Sequence, residues 1–268
     1  MSRSRDPWQP TRILRQEIGL GTGTRPIKVV TDRAKAYLKA MGNPEGPHVL
    51  ACDLLGTQLA RWLGLPTFDF AVIEVKAEYG LRFLGGEPVT PGPAFLTRED
   101  AGDGWGGSDR QLDQLINPED LTRLVILDTW ILNCDRYAPG GSRINWRNVF
   151  LSEQAPAGRF LVRAMDHSHC FTCGRPLTPR IGHIDPIRDE RIYGLFPEFR
   201  PRLDSTAGLE AARRLGEFRR SDADSLTQGI PQEWDVDRAT RDALAQFLTS
   251  RAAFLGASIM DKLCPNEG

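Results

Sequence analysis

The chain contains no stretch approaching 18 uninterrupted apolar residues, and its best run, Leu124 to Leu132, is broken by Asp128. A membrane-spanning helix is therefore not expected. Surplus charge is also missing: 34 Lys and Arg against 35 Asp and Glu leave a net charge of −1. There is no global electrostatic pull toward nucleic acid or an anionic membrane, and nucleic acid is not indicated as a partner. The first ten residues are basic but lack the apolar run of a secretory signal. Cysteine is scarce and odd in number, five in all, in a chain long enough to fold without staples. That usage fits a reducing, cytoplasmic setting. Repeats and low-complexity segments are absent as well. What is present is ordinary for a folded soluble protein, 40% hydrophobic and 26% charged over 268 residues, enough for one large domain or two lobes.

The first part of the chain reads as strands with one helix. Residues 25–30 and 36–39 suggest short strands joined by a turn around Asp32, and Gly42 to Pro47 is a turn by composition. From Leu50 to Gly64, apolar Ala51, Leu55, Leu59 and Leu63 recur at four-residue spacing, which predicts a helix with Gly64 as its stop. Residues 70–75 and 81–84 are β-rich and separated by Tyr-Gly, which predicts a hairpin. Thr90 to Ser108 is dense in Gly and Pro and reads as a crossing between lobes, with Trp105 either over a bound base or in the connector. Beyond it, Asn117-Pro118-Glu119-Asp120 resembles a capped helix start. Two short strands follow at 148–151 and 159–163, and periodic apolar residues from Val236 to Leu263 predict a long closing helix. The expected class is α+β, a β-rich N-lobe followed by a mainly helical C-lobe. Its expected bounds are 1–96 for the N-lobe, 97–110 for the connector and 111–268 for the C-lobe.

The chemistry concentrates in Asn133-Cys-Asp-Arg-Tyr137, Asn148-Val-Phe-Leu151 and Ala164-Met-Asp-His-Ser168. A helix delivers Asp135 into a loop, one strand begins with Asn148, and another runs into Asp166. Singly, each is an ordinary turn or surface residue. As an ordered set at one hairpin edge they match the needs of phosphoryl transfer. One carboxylate accepts the proton of an incoming hydroxyl, while an amide oxygen and a second carboxylate hold Mg²⁺ against nucleotide phosphates. A cation for those phosphates is expected from the β lobe. Lys39 is the candidate, with Lys28 as its rival, and Gly21, Thr22, Gly23 and Thr24 form a glycine-bearing loop suited to close phosphate approach.

The segments Tyr37-Leu-Lys39, Gly42-Asn-Pro-Glu-Gly46, Val49-Leu-Ala-Cys-Asp53, Ala60-Arg-Trp-Leu-Gly-Leu-Pro66, Asp128-Thr-Trp-Ile131, Asn133-Cys-Asp-Arg136, Asn148-Val-Phe-Leu151, Met165-Asp-His-Ser168 and Ile230-Pro-Gln-Glu-Trp234 resemble the HipA-like kinases. These are related to phosphatidylinositol-type and protein kinases. The resemblance runs from about residue 22 to 260. It implies a bilobal protein-kinase-like fold with ATP and Mg²⁺ as cofactors; the expected phosphoryl acceptor is Ser or Thr of a protein, which the resemblance does not fix. Lys39 would serve the nucleotide phosphates, Asp135 would be the catalytic base, and Asn148 and Asp166 would be the metal ligands. Asp53 stands where the family has a glutamate to pair with the lysine. Two further departures are Tyr137, where the family often has His, and an insertion over residues 138–147 between Asp135 and Asn148. They keep open a nucleotide-binding pseudokinase, or a kinase of a small molecule or lipid. A separate reading is zinc at Cys170-x-x-Cys173 with His167, His169 or His183. The arginines from Arg200 to Arg220 alternate with acids and read as a solvated helix face.

Overall fold

The computed structural model describes residues 8–264. Residues 1–7, which include most of the basic start, lie outside the described residues. The architecture is α+β, with a β-sheet N-terminal region and a helical C-terminal region. Two compact units are distinguished: one from the stretches Met1–Ala51, Phe68–Asp100 and Pro231–Asp235, the other from Cys52–Thr67, Ala101–Ile230 and Val236–Gly268.

The first unit is built on an antiparallel sheet of strands β1 (Ile13–Gly19), β2 (Ile27–Thr31), β3 (Lys35–Lys39), β4 (Phe70–Val75) and β5 (Gly92–Arg98), in the order β1-β2-β3-β5-β4. Side chains alternate between faces along each strand. Ile27 and Val29, Ala36 and Leu38, Ile73 and Val75, and Ala94 and Leu96 therefore share one core. Lys28, Tyr37 and Lys39 fall on the opposite face. The turn at Asp32 forms as expected, and its carboxylate accepts from the Thr11 N–H at 3.0 Å.

Two expectations for this unit fail. The partner of β4 is β5, not residues 81–84. Residues 81–89 instead turn back on themselves, with Phe83 N–H donating to Glu87 O at 2.9 Å and Val89 N–H to Leu81 O at 3.0 Å. The Gly/Pro-rich stretch after Thr90 is likewise no simple crossing, because it opens β5, which lies between β3 and β4. Proline is tolerated at the start of a strand, and Pro93 pairs there with Glu74. The late segment Ile230-Pro-Gln-Glu-Trp234 also acquires a reason. Trp234 is fully buried, and its indole N–H donates to Pro93 O at 2.9 Å.

Helix α1 (His48–Leu63) begins in the first unit and contributes Cys52 onward to the second. Ala51, Leu55, Leu59 and Leu63 are all buried, and Gly64 ends the helix at φ 94°. The second unit holds α2 (Asp109–Leu112), α3 (Asp120–Trp130), α4 (Ile184–Ile187), α5 (Ser205–Glu217), α6 (Arg220–Gln228) and α7 (Arg238–Leu263). A three-stranded sheet joins them, with β6 (Gly102–Gly104), β7 (Val149–Ser152) and β8 (Leu161–Ala164) in sequence order.

Asn117 does not cap α3 with a side-chain oxygen. Its amide acts as a backbone substitute, accepting from Val162 N–H at 2.9 Å and donating to Val162 O at 3.1 Å, which fixes the helix start against β8. By length and composition α7 is able to cross a membrane. One of its faces packs inward, with Leu244, Phe247, Leu248, Leu255 and Ile259 buried together with Arg251.

Candidate active site

Helix α3 ends at Trp130, and the next seven residues form the bed of the site. Asn133 Nδ2 donates to Asp128 Oδ1 at 2.9 Å, and its own Oδ1 accepts from Asp135 N–H at 3.2 Å. The turn that presents Asp135 is therefore tied back to its helix. Arg136 is fully buried and ion-paired with the equally buried Asp128. Its remaining donors reach Asn148 O at 2.9 Å and Met165 O at 2.5 Å. One guanidinium thus fastens the end of α3, the entry to β7 and the exit of β8. Five fixed donors on a planar fork suit it to this role. Burial raises the Asp128 carboxyl above its ordinary value, and Arg136 and Asn133 only partly oppose it.

The hairpin expectation for the two short strands holds. β7 and β8 pair antiparallel with Val149 opposite Ala164, so one residue further along the ladder Asn148 faces Met165 and Asp166 follows at the same edge. Asn148 Nδ2 donates to Asp135 Oδ2 at 2.8 Å. Asp166 has left-handed backbone, φ 52°, a conformation uncommon for a residue with a side chain and enriched at functional sites. Its Oδ1 accepts from the Ser168 hydroxyl at 2.8 Å. Asp53, on α1, places Oδ1 2.9 Å from His167 N and so holds the backbone just beyond Asp166. Gly56, one turn further along α1, leaves room for His167, whose ring a Cβ at that position would strike.

Three groups surround Asp135. Asn148 and the His169 imidazole approach Oδ2, the latter with Nδ1 at 3.3 Å, and Arg143 Nε lies 3.0 Å from Oδ1. Burial pushes the Asp135 carboxyl up. The hydrogen bond and charge of His169, helped by Arg143 and opposed by Asp166, outweigh it and hold the group below its ordinary value. A buried, ionised carboxylate is the state a proton acceptor needs.

A fastened loop carboxylate, an amide beside it and a second carboxylate at the next strand end are accompanied by a family match over most of the same stretch. Residues 22–181 match the HipA-like kinase family. The chain belongs to that family. Among solved structures it is similar in fold to the Helicobacter pylori proinflammatory kinase CtkA, with a TM-score of 0.59 and 10% identity over 93% of this chain and 97% of that one. No curated protein sequence matches it.

In the first unit of this HipA-like kinase, Lys28 is committed to Glu99 at 2.5 Å and Glu17 at 3.9 Å. Lys39, half-buried at the end of β3, pairs in register with Phe95. Gly21, Thr22, Gly23 and Thr24 lie in the turn between β1 and β2, closed by Arg25 N–H donating to Thr22 O at 2.8 Å. Neither Gly21 nor Gly23 uses left-handed backbone. Gly23 matters for room, because a Cβ there would meet the Glu45 carboxylate.

Several expectations about this kinase change. Trp105 is neither a base cover nor part of a loose connector: it is fully buried among Phe196, Phe199 and Trp146. The zinc reading loses its ligands, since Cys173 is joined to Cys134 in a disulfide and the Cys170 thiol donates to Cys52 O. Burial, with Cys52 beside it, raises the Cys170 thiol well above its ordinary value. The arginines after Phe196 are matched locally, Arg202 by Asp109 and Asp113, Arg213 by Glu217 and Arg220 by Asp224.

The residues that sequence reasoning missed are Arg136, Arg143 and His169. Arg136 was visible only as the last letter of Asn133-Cys-Asp-Arg136. His169 stood in the sequence as a metal candidate, three residues beyond Asp166.

Proposed function

We propose that the chain is an ATP- and Mg²⁺-dependent kinase that transfers the γ-phosphoryl group to a hydroxyl, with Ser or Thr of a protein as acceptor. The observation that carries this reading is the amide of Asn148 seated 2.8 Å from Asp135 Oδ2, with Asp166 next at the same hairpin edge. The donor set fits the metal. With Nδ2 given to Asp135, Asn148 has Oδ1 as its acceptor atom, and Asp166 adds a carboxylate; both are the hard oxygen ligands that Mg²⁺ takes alongside phosphates and water.

In this reading Asn148 and Asp166 hold Mg²⁺, and Lys39 with residues 21–24 binds the nucleotide phosphates. Bound there, Mg²⁺ would neutralise charge on the phosphate oxygens. Asp135 orients the acceptor hydroxyl and takes its proton. The hydroxyl oxygen then forms a bond to the γ-phosphorus, the bond from that phosphorus to its bridging oxygen breaks, and ADP leaves with the electron pair. Lys39 is preferred over Lys28 because the family resemblance puts Lys39, at the end of β3, in the phosphate-binding position. A protein acceptor is preferred over lipid because, among the described residues, the one helix long and apolar enough to cross a membrane, α7, has Leu244, Phe247, Leu248 and Arg251 buried within the second unit. A cytoplasmic location fits the need for ATP, while the Cys134–Cys173 disulfide runs against the reducing setting expected from cysteine usage.

The test is Mg²⁺-dependent ATP binding and turnover in Asp166→Ala and Asp135→Ala. Asp166→Ala is expected to weaken Mg–ATP binding at least about tenfold. Asp135→Ala should leave binding nearly intact and lower kcat by about 10²–10⁴. Unchanged Mg–ATP affinity in Asp166→Ala would refute the assignment. Binding without turnover in the native protein would favour a nucleotide-sensing pseudokinase.

A further inference from the structure

The insertion between Asp135 and Asn148 is a formed structural element. Residues 137 and 144 make an antiparallel bridge, Ala138 N–H donates to Arg143 O at 2.9 Å, and Asn145 N–H donates to Arg136 O at 2.8 Å. Gly140 and Gly141, at φ 75° and 72°, make the tip, a conformation that a side chain would resist. The loop is thus pinned at its base to Arg136, the residue that also fastens the metal hairpin. Its outcome is one side chain delivered to the site: Arg143 Nε, 3.0 Å from Asp135 Oδ1.

Arg143 differs from the structural arginines around it. Arg136 and Arg251 are fully buried with their donors committed to carbonyls and, for Arg136, to Asp128, whereas the Arg143 side chain is 53% exposed. It also sits on the oxygen opposite the one that Asn148 and His169 approach. With Oδ2 approached by Asn148 and His169, Oδ1 is the oxygen left to accept from a substrate hydroxyl, and Arg143 stands beside that position.

We infer that Arg143 is a catalytic arginine supplied in cis by the 138–147 loop, one that pairs with Asp135 and moves onto the transferring phosphoryl group during reaction. The inference rests on the proposed kinase reading. Its driving force is elementary. A triphosphate carries more negative charge than one carboxylate, and a guanidinium matches phosphoryl oxygens in a two-pronged fashion. The transfer step leaves charge on the phosphoryl oxygens and on the departing ADP, where a guanidinium delivered by the loop can meet it. Arginines acting on this charge in other phosphoryl-transfer enzymes contribute about 10³–10⁵ in kcat.

The experiment compares the full chain with Arg143→Ala and Arg143→Lys in turnover and in affinity for Mg–ADP, with and without aluminium fluoride as the phosphoryl mimic. Melting temperatures establish that both variants fold. Arg143→Ala is expected to lower kcat by about 10²–10³ and to change Mg–ADP affinity less than threefold. It should also lose the extra affinity that aluminium fluoride confers. Arg143→Lys should recover part of both, and added guanidinium should restore turnover in Arg143→Ala but not in Asp135→Ala. Turnover within threefold of native, turnover above native, or an unchanged fluoride preference in Arg143→Ala would each overturn the inference while leaving the kinase reading intact. If the native protein binds no Mg–ATP, both fall together.

Discussion

Two arginines lie fully buried in the second unit, one on each side of the end of α3, and they are neutralised differently. Arg136 faces the site and has a carboxylate of its own, Asp128, besides the carbonyls of Asn148 and Met165. Arg251, from α7, pairs with no carboxylate among the described residues. It donates to the carbonyls of Thr129 and Trp130 at the end of α3 and to those of Pro186, Ile187 and Asp189. Burial pulls Arg251 down to about 10, with Asp189 and Tyr193 acting against it, so it is still a cation at neutral pH. The carbonyls it meets on α3 belong to the negative end of a helix dipole, which suits a cation. The contrast separates two tasks. Where a chain end only has to be closed, backbone dipoles suffice. Where three segments must be held in register beside Asp135, the arginine is fixed by a full opposite charge.

The largest effect is expected from breaking the charged arrangement. Asp128→Ala leaves Arg136 buried and uncompensated, which costs about 3–5 kcal/mol; urea denaturation measures it. Arg136→Met strands Asp128 and should cost a similar amount. The double variant Asp128→Leu/Arg136→Met removes both charges and should recover most of that loss, because a buried pair often adds little over apolar packing. Its phosphotransfer should stay low even where its stability returns, since Asn148 and Met165 lose their common fastening. Full activity in the double variant would show that Arg136 serves only the fold.

The carbonyl-bound arginine should behave otherwise. Arg251→Met strands several buried carbonyls and is expected to cost about 2–4 kcal/mol. No single second substitution should rescue it, because the partners are backbone atoms. Recovery by one added apolar change, read by the same urea midpoints, would erase the distinction.

Much of this was legible from sequence where spacing is local. The four-residue period of α1 and the long run of α7 predict their buried faces, and the strands around Pro156 and Gly158 predict the β7–β8 hairpin that sets Asn148 beside Met165. The failures share a cause. The partner of β4, the burial of Trp105 and the mooring of Trp234 on β5 depend on residues far apart in the chain, which no local period encodes. Asn117 reads as a cap because Asn caps helices, yet its amide is taken by β8, 45 residues later. At the site, the residue types are readable but the fastenings are not. Arg143 is only one of several polar residues in an insertion until the bridge at Tyr137 and Ile144 places it on Asp135.

The smallest effect concerns the charge that stands off from Arg251. Asp189 contributes its backbone carbonyl to Arg251, while its carboxylate accepts from Arg191 Nε at 2.9 Å and from the Tyr193 hydroxyl at 2.9 Å. Burial pushes this carboxyl up, but Arg191 and Tyr193 outweigh it and hold it below its ordinary 3.8. A carboxyl whose folded value is depressed binds fewer protons folded than unfolded. Its stabilisation is therefore complete above about pH 4 and is lost as pH falls through the folded value. Asp189→Asn should cost about 0.5–1 kcal/mol near pH 6, because Arg191 is well exposed and water screens the pair. The gap between native protein and variant, measured by urea denaturation, should narrow as the pH is taken below 4. A gap that stayed constant down to pH 3 would mean that Asp189 acts through its backbone and its shape alone, which would leave Arg251 neutralised by dipoles and by nothing else.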